Sequence, residues 1–355
     1  MRRRRVLVAL AAVVVVAVIA GVLAWWLSRG PSGPYSEAMS TLPEQTLRSS
    51  FTDWERIDEQ MEVPDVDEAG DPDQFDRFLD AAYDTDLLTG STLLDVIPGL
   101  ADTFGYSPAD AVWEAYGQSR DGAVDVLKVD DDVDFDKVAS NLEEAGYDQP
   151  DEDDGVWRGS GDLVVQLESP LTTVQINVLL LADERMILTS DSAGYLEDTR
   201  AVVRGDAPSL REVPGVDPML QATEDAVAAQ LWARDFACED LAMGQADAAD
   251  KDQGARLVEQ AGGVHALDGL VLARTGGTAA TITMWFDSEA DADADLQPRT
   301  DLARGPAPGQ GGDFGERFTV EESRVEGRLI SMRVRARSDS LMSDLGQGPV
   351  LFATC

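Results

Sequence analysis

One imidazole, His265, and two thiols, Cys238 and Cys355, are all that this chain of 355 residues offers for histidine- or cysteine-based chemistry. A single His removes His-clustered zinc sites and two-histidine catalysis. His265 stands between Gly262–Gly263 and a strand-like run at Leu267, and alone it could act as a general base. No GxSxG motif supplies it with a nucleophile, so a surface or strand-edge His is the plainer reading. The chain also lacks CxxC, HExxH and a glycine-rich phosphate loop. We therefore assign no catalytic residue and expect no cofactor.

Carboxylates, by contrast, are abundant: 67 acidic side chains face 28 basic ones, a net charge of −39. Polyanions are repelled by such a surface, which excludes nucleic acid as a partner. Asp130, Asp132, Asp134 and Asp136 alternate, and a calcium loop counted from Asp132 would place Glu143 at its last ligand position. That loop requires Gly where Lys137 stands, so Asp134 reads instead as a helix cap. Asp151, Glu152, Asp153 and Asp154 form a looser calcium candidate, against which stands an ordinary solvated acidic face. Asp287, Asp291, Asp293 and Asp295 read as exposed helix charge. Paired carboxylates for glycoside hydrolysis are available anywhere among so many acids, and nothing in their spacing selects a pair.

Arg333, Arg335 and Arg337 alternate along one face of a strand, a candidate contact for an anion or a partner. The competing reading pairs them with acids such as Glu316 and Glu321. The two Cys are expected to form a Cys238–Cys355 disulfide, which would pin the last residue to the body of the fold.

The elements that must position these groups begin after an apolar N-terminus. Val6–Leu27 carries no charge and no Pro, and as a helix rising about 1.5 Å per residue it reaches roughly 33 Å, enough for a bilayer core. Arg2 to Arg5 precede it and Trp25 and Trp26 close it, so the positive-inside bias predicts a single-pass plasma-membrane protein. Its N-terminus would be cytoplasmic and its C-terminal domain outside. A cleaved signal peptide, with Val18 and Ala20 before the cut, is the competing reading. Residues 1–5 form the tail, 6–27 the span and 28–34 a Pro/Gly/Ser tether.

A strand is predicted over Thr46–Ile57, followed by helices around Phe75–Ala82, Leu93–Leu100 and from Ser107. Val124–Val129 reads as a strand leading into a helix capped by Asp134 and ended by Gly146. Short strands are expected at Val156–Arg158 and Leu163–Leu167, then a hairpin of Val174–Leu181 with Arg185–Thr189 and a closing helix over Ser192–Val203. After a Pro-rich boundary at Asp206–Pro218 the order repeats. Val227–Cys238, Leu267–Arg274 and Ala279–Phe286 read as strands, Asp247–Gln260 and Asp287–Leu296 as helices, and Gly305–Gly315 as a mobile loop. The last hairpin is placed with Val325, Glu326 and Gly327 as its loop, so that Val320 faces Met332 and Phe318 faces Val334.

VDFDKVASNLEEAGY (Val133–Tyr147), GVWRG (Gly155–Gly159) and GPVLFATC (Gly348–Cys355) together resemble a group of uncharacterised single-pass, externally exposed proteins of high-G+C Gram-positive bacteria. The resemblance implies membrane anchoring and an α+β fold, and supplies no activity and no site residues.

The resulting expectation is an α+β chain: a transmembrane helix followed by a duplicated, ferredoxin-like ectodomain with antiparallel sheets, its modules at 35–212 and 213–355. Its function would be a non-enzymatic envelope module that binds a partner or supports a complex. Besides the membrane reached through residues 6–27, the partner would be another membrane or cell-wall protein. The alternative is a carboxylate-dependent hydrolase acting on cell-wall material. An enzyme should show converging acids of perturbed pKa in a concave pocket, whereas a binding module needs only a complementary surface.

Overall fold

The computed structural model describes residues 33–61, 72–152, 154–167, 169 and 171–355. In chain order they form α1 (Pro34–Thr41), β1 (Arg48–Asp53), α2 (Trp54–Gln60), α3 (Pro72–Asp84), β2 (Ala111–Gln118), β3 (Ala123–Val129), α4 (Phe135–Ala145), β4 (Val156–Arg158), β5 (Asn177–Leu181) and β6 (Met186–Ser190). The order continues with α5 (Ala193–Val203), α6 (Val216–Gln221), β7 (Ala228–Ala233), α7 (Ala248–Ala261), β8 (Gly269–Gly276), β9 (Ala279–Trp285), α8 (Glu289–Leu302), β10 (Phe318–Glu326), β11 (Leu329–Ala336) and α9 (Leu341–Gly346). Shorter helical turns connect them.

All eleven strands lie in one sheet, in the order β10-β11-β9-β8-β7-β1-β2-β3-β6-β5-β4, and every neighbouring pair is antiparallel. The pairing order repeats. In the first half β1, β2 and β3 are sequential neighbours and β3 then pairs with β6, which pairs back to β5. In the second, β7, β8 and β9 are sequential, β9 pairs with β11, and β11 pairs back to β10. The halves meet where β1 pairs with β7, Ser50 opposite Gln230.

This corrects the expected architecture. Along the chain each half opens in the βαββαβ order of a ferredoxin-like module, but its first three strands lie side by side in sequence order instead of forming split βαβ units, and the halves share one continuous sheet. The expected span Val6–Leu27 lies outside the described residues, and among the described residues no helix is long and apolar enough to cross a membrane. The single-pass plasma-membrane localisation built on that span is therefore withdrawn.

One sheet face carries two apolar clusters. Leu270, Leu272, Ile282, Met284, Ile330 and Met332 gather with Phe314, Phe318 and Phe352 in the second half, while Leu127, Val129, Val178, Leu180 and Ile187 pack with Trp54, Phe78 and Leu142 in the first. The opposite face buries Phe51, Trp113, Ala115, Leu231 and Val271 against Tyr35, Met39, Leu196 and Met219. Between the two clusters of the first face runs a polar stripe. Following the register across the sheet gives Gln230, Ser50, Tyr116, Asp125 and Thr189 in one row, and Arg274, Thr52 and Glu114 in the next. In a sheet covered on both faces such a stripe must be met by polar partners from above.

Local chemistry sets most element ends. Asp134 accepts hydrogen bonds from the N–H groups of Asp136 and Lys137 and caps α4, which Gly146 ends at φ 98°. Ser192, Asp247 and Ser288 cap α5, α7 and α8 in the same way. Several sequence expectations differ from what forms. Only Arg48–Asp53 of the first predicted strand is strand, because Asp53 caps α2 at Trp54. Leu163–Leu167 belongs to a short helix, Gly161–Gln166, capped by Ser160. Ser107 and Pro108 start a single 3-10 turn rather than a helix, and Leu94–Phe104 is a series of short helical turns.

The last hairpin also shifts. Glu326 faces Leu329 around Gly327–Arg328, with Gly327 at φ 58°, which makes a two-residue turn that suits strand twist better than the expected three-residue loop. A bulge between Val320 and Glu322 then restores the alternation, so Val320 faces Val334 and Phe318 faces Ala336, all four inward.

Candidate functional site

Two loops close over the polar stripe, one from each half. Asp86 adopts φ 63° and turns its carboxylate onto the start of α9. It accepts from the N–H of Met342 and from the hydroxyls of Ser343 and Thr89, at 2.6 Å and 2.5 Å for the last two. An acid of the first half thus caps a helix of the second, where free N–H groups and the helix dipole favour a negative charge. Buried Arg274 approaches the same carboxylate to 4.0 Å, and burial lowers the pKa of its guanidinium.

The loops rest on the seam strands. Gly90 accepts from the Ser50 hydroxyl at 2.5 Å, and a Cβ at Gly90 would come within 3.2 Å of Ser50. A Cβ at Gly346 would meet the Gln230 side-chain amide at 2.2 Å, so a larger residue there would have to displace that amide. Between the loops opens a cleft of about 790 Å³. Asp84, Asp86, Asp95 and Asp339 line it together with Thr89, Ser91, Thr92, Ser340 and Ser343, while Tyr83 stands at its side with 67% of its surface exposed. Among the described residues no Lys or Arg lines the cleft, and the nearest guanidinium on its Asp86 side is buried Arg274.

Beneath the cleft floor lie two carboxyls that sequence reasoning missed. Glu114 is 1% exposed and Asp125 2%. Glu114 accepts from Trp54 Nε1 at 3.1 Å, Ser91 Oγ at 2.7 Å and the Thr92 N–H at 2.8 Å. Thr92 Oγ1 stands 2.6 Å from Asp125 Oδ2 and 3.4 Å from Glu114 Oε1, bridging the two acids. Burial pushes Glu114 up to about 7, against the pull of its four donor contacts. Burial and the neighbouring Glu114 hold Asp125 well above the carboxylate range. The available signal was a lone acid inside AVDVLKV, a strand whose other residues are apolar except Lys128.

The sequence-derived candidates fall elsewhere. Cys238 and Cys355 are joined in a disulfide across 117 positions, with Cα atoms 5.8 Å apart; Cys238 sits in the short helix Phe236–Asp240, not in a strand. Arg333 and Arg335 are exposed and pair with Glu322 at 2.8 Å and Glu321 at 2.7 Å. Arg337 donates to Thr319 Oγ1 at 2.7 Å. None of the three lines the cleft. The Gly305–Gly315 loop is tied down by a Pro306–Asp313 bridge and by Arg317, which bonds the carbonyls of Gln310 and Gly311. Of the looser calcium candidate, Asp153 lies outside the described residues and Asp154 pairs with Arg200 and Arg204.

His265 turns its ring nitrogens to Asp295 at 2.6 Å and Asp291 at 3.5 Å, not to a nucleophile. The Asp295 hydrogen bond raises its pKa, with smaller charge contributions from Asp295 and Asp291. Asp295 is 1% exposed and so is not the solvated helix charge expected of it. It also binds Arg299 at 2.8 Å, and the fully buried Arg299 donates to the carbonyls of Phe352 at 2.7 Å and Thr354 at 3.0 Å. This cluster anchors the C-terminus beside the disulfide.

No family model matches the chain, and no curated protein matches it. Among solved structures it is similar to crystal form I of a protein designated TP0453, at a TM-score of 0.39 and 8% identity, over 87% of this chain and 97% of that one.

Proposed function

We propose that the protein is a non-enzymatic binding module whose cleft between Tyr83–Asp95 and Asp339–Gln347 takes a polar ligand bearing amine groups. The observation that carries this reading is the lining: four carboxylates and five serine or threonine hydroxyls, with no Lys or Arg among the described residues that line the cleft. A protonated amine finds charge-assisted acceptors there, and exposed Tyr83 offers a ring face to a cation. The alternative, a carboxylate-dependent hydrolase acting on cell-wall material, needs a proton-holding acid open to substrate. Glu114 and Asp125 are the raised carboxyls nearest the cleft, and Ser91 and Thr92 cover them.

Calorimetric titration with tetra-lysine at physiological salt tests the proposal. Asp95→Asn with Asp339→Asn should weaken binding roughly 5–30-fold, two ion pairs of about 0.5–1 kcal/mol each. The charge-matched variant Asp252→Asn with Asp293→Asn, on exposed faces of α7 and α8, should leave it unchanged. Equal effects of the two variants would reduce the interaction to the overall charge and overturn the reading.

A further inference from the structure

Glu114 and Asp125 are brought together by register. They stand on adjacent strands, Glu114 beside Leu127 and Asp125 beside Tyr116, so the two carboxyls are diagonal neighbours on one face. Both are contacted by Thr92, in the loop that forms the cleft floor.

The hydrogen count of this trio is informative. A threonine hydroxyl has one proton to donate and lone pairs to accept. It therefore cannot donate to both carboxylates at once. If Asp125 Oδ2 carries a proton and donates it to Thr92 Oγ1, the Thr92 hydroxyl is free to donate to Glu114 Oε1, and all contacts are satisfied. Glu114, which also receives Trp54, Ser91 and the Thr92 N–H, is then the ionised member.

Without that proton, two negative charges share a dry site and one of the Thr92 contacts turns repulsive. The second oxygen of Asp125 is buried with no hydrogen-bond partner, which leaves a second charge there without support. Flanking the acids on β1 and β6 are the neutral hydroxyls of Thr52 and Thr189. Tyr106, ahead of β2, and Tyr116, on β2, are the titratable groups turned to Asp125; each is raised first by its own burial and then by that acid. Asp191 adds to the rise of Tyr116 and Arg48 opposes it. Among the described residues no Lys or Arg forms an ion pair with either carboxyl.

We propose that the Glu114–Thr92–Asp125 trio is a proton-operated latch: a single shared proton holds the Leu88–Asp95 floor against the sheet, and its release lets that floor lift. That the latch regulates ligand entry rests on the binding reading above. The latch itself is a property of the unliganded chain. Because the closed floor retains a proton that the open, hydrated floor gives up, the opening constant should rise with pH by up to tenfold per unit. The window begins at the ordinary carboxylate range near 4, where the acids of an open floor ionise, and extends upward to the raised range in which buried Asp125 gives up its proton.

Amide hydrogen exchange of residues 88–95 in the full chain, corrected for the intrinsic pH dependence of exchange, measures this opening between pH 5 and 8.5. Wild type should lose protection as pH rises, while the α5 amides stay level. Asp125→Asn keeps a neutral side chain at every pH and should flatten the profile above about pH 7, where Glu114 no longer holds a proton of its own. Thr92→Val unlinks the acids and should leave the floor open at all pH values. A flat wild-type profile overturns the latch whether or not the variants fold, and so does an Asp125→Asn slope equal to wild type. If the slope is present and tetra-lysine binds at no pH, the binding reading fails and the latch stands.

Discussion

Replacing Arg299 by Met should be among the most damaging single changes in the second half. The guanidinium is fully buried and serves four partners: the Asp295 carboxylate and the carbonyls of His265, Phe352 and Thr354. Met fills a similar volume but satisfies none of them. Asp295, at 1% exposure, would keep only its contacts from His265, and two carbonyls of the C-terminal segment would lose their donor. Breaking a buried pair by removing one partner costs about 3–5 kcal/mol. At about 2–4 °C per kcal/mol for a domain of this order, the melting temperature should fall by roughly 6–20 °C. Urea denaturation followed by circular dichroism gives the free energy directly. Adding Asp295→Asn removes the stranded charge while leaving an acceptor for His265, so the double variant should recover about 1 kcal/mol or more relative to additivity. A single variant within about 1 kcal/mol of wild type, or strictly additive effects, would refute the assignment of Arg299 as the anchor of the C-terminus.

Cys238→Ala with Cys355→Ala frees a loop of 117 positions and should cost about 4–5 kcal/mol on the chain-entropy model, read from denaturation midpoints; a loss below about 1 kcal/mol would mean that the Arg299 cluster alone holds the terminus. The raised pKa of His265 fixes the sign of a pH effect. Its stabilising contribution is fully present below the unfolded value near 6.5 and is lost as pH rises through the folded one, so the deficit of His265→Gln should shrink toward alkaline pH. A deficit independent of pH would contradict this. Arg335→Ala, which removes an exposed ion pair with Glu321, should change stability by less than about 1 kcal/mol and leave tetra-lysine binding unaltered.

What could be read from the chain was the part decided over short distances. The Asp134 cap, the β5–β6 hairpin, the closing helix α5 and the helix α7 all announce themselves through caps and apolar period, and all form close to where they were expected. Gly161–Gln166 misled because Leu163, Val164 and Val165 make a strand-like run, whereas the Ser160 cap turns them into a helix and leaves Val165 70% exposed. The joining of the halves could not be read, because the β1–β7 pairing links residues some 180 positions apart and no turn between them sets the register. The site follows from that joining. Asp86 meets α9, and the two loops come to face each other, only because β1 and β7 are neighbours. Glu114 and Asp125 are ordinary acids until the register makes them diagonal neighbours under Thr92.

The central claim, that the cleft over the seam is where this protein meets its ligand, is tested most directly by a residue-resolved amide chemical-shift titration of the full chain with tetra-lysine. Perturbations should concentrate in residues 83–95 and 339–347 and be lost in Asp95→Asn with Asp339→Asn. Shifts spread along the acidic surface, or centred on the exposed acids of α7 and α8, would contradict it.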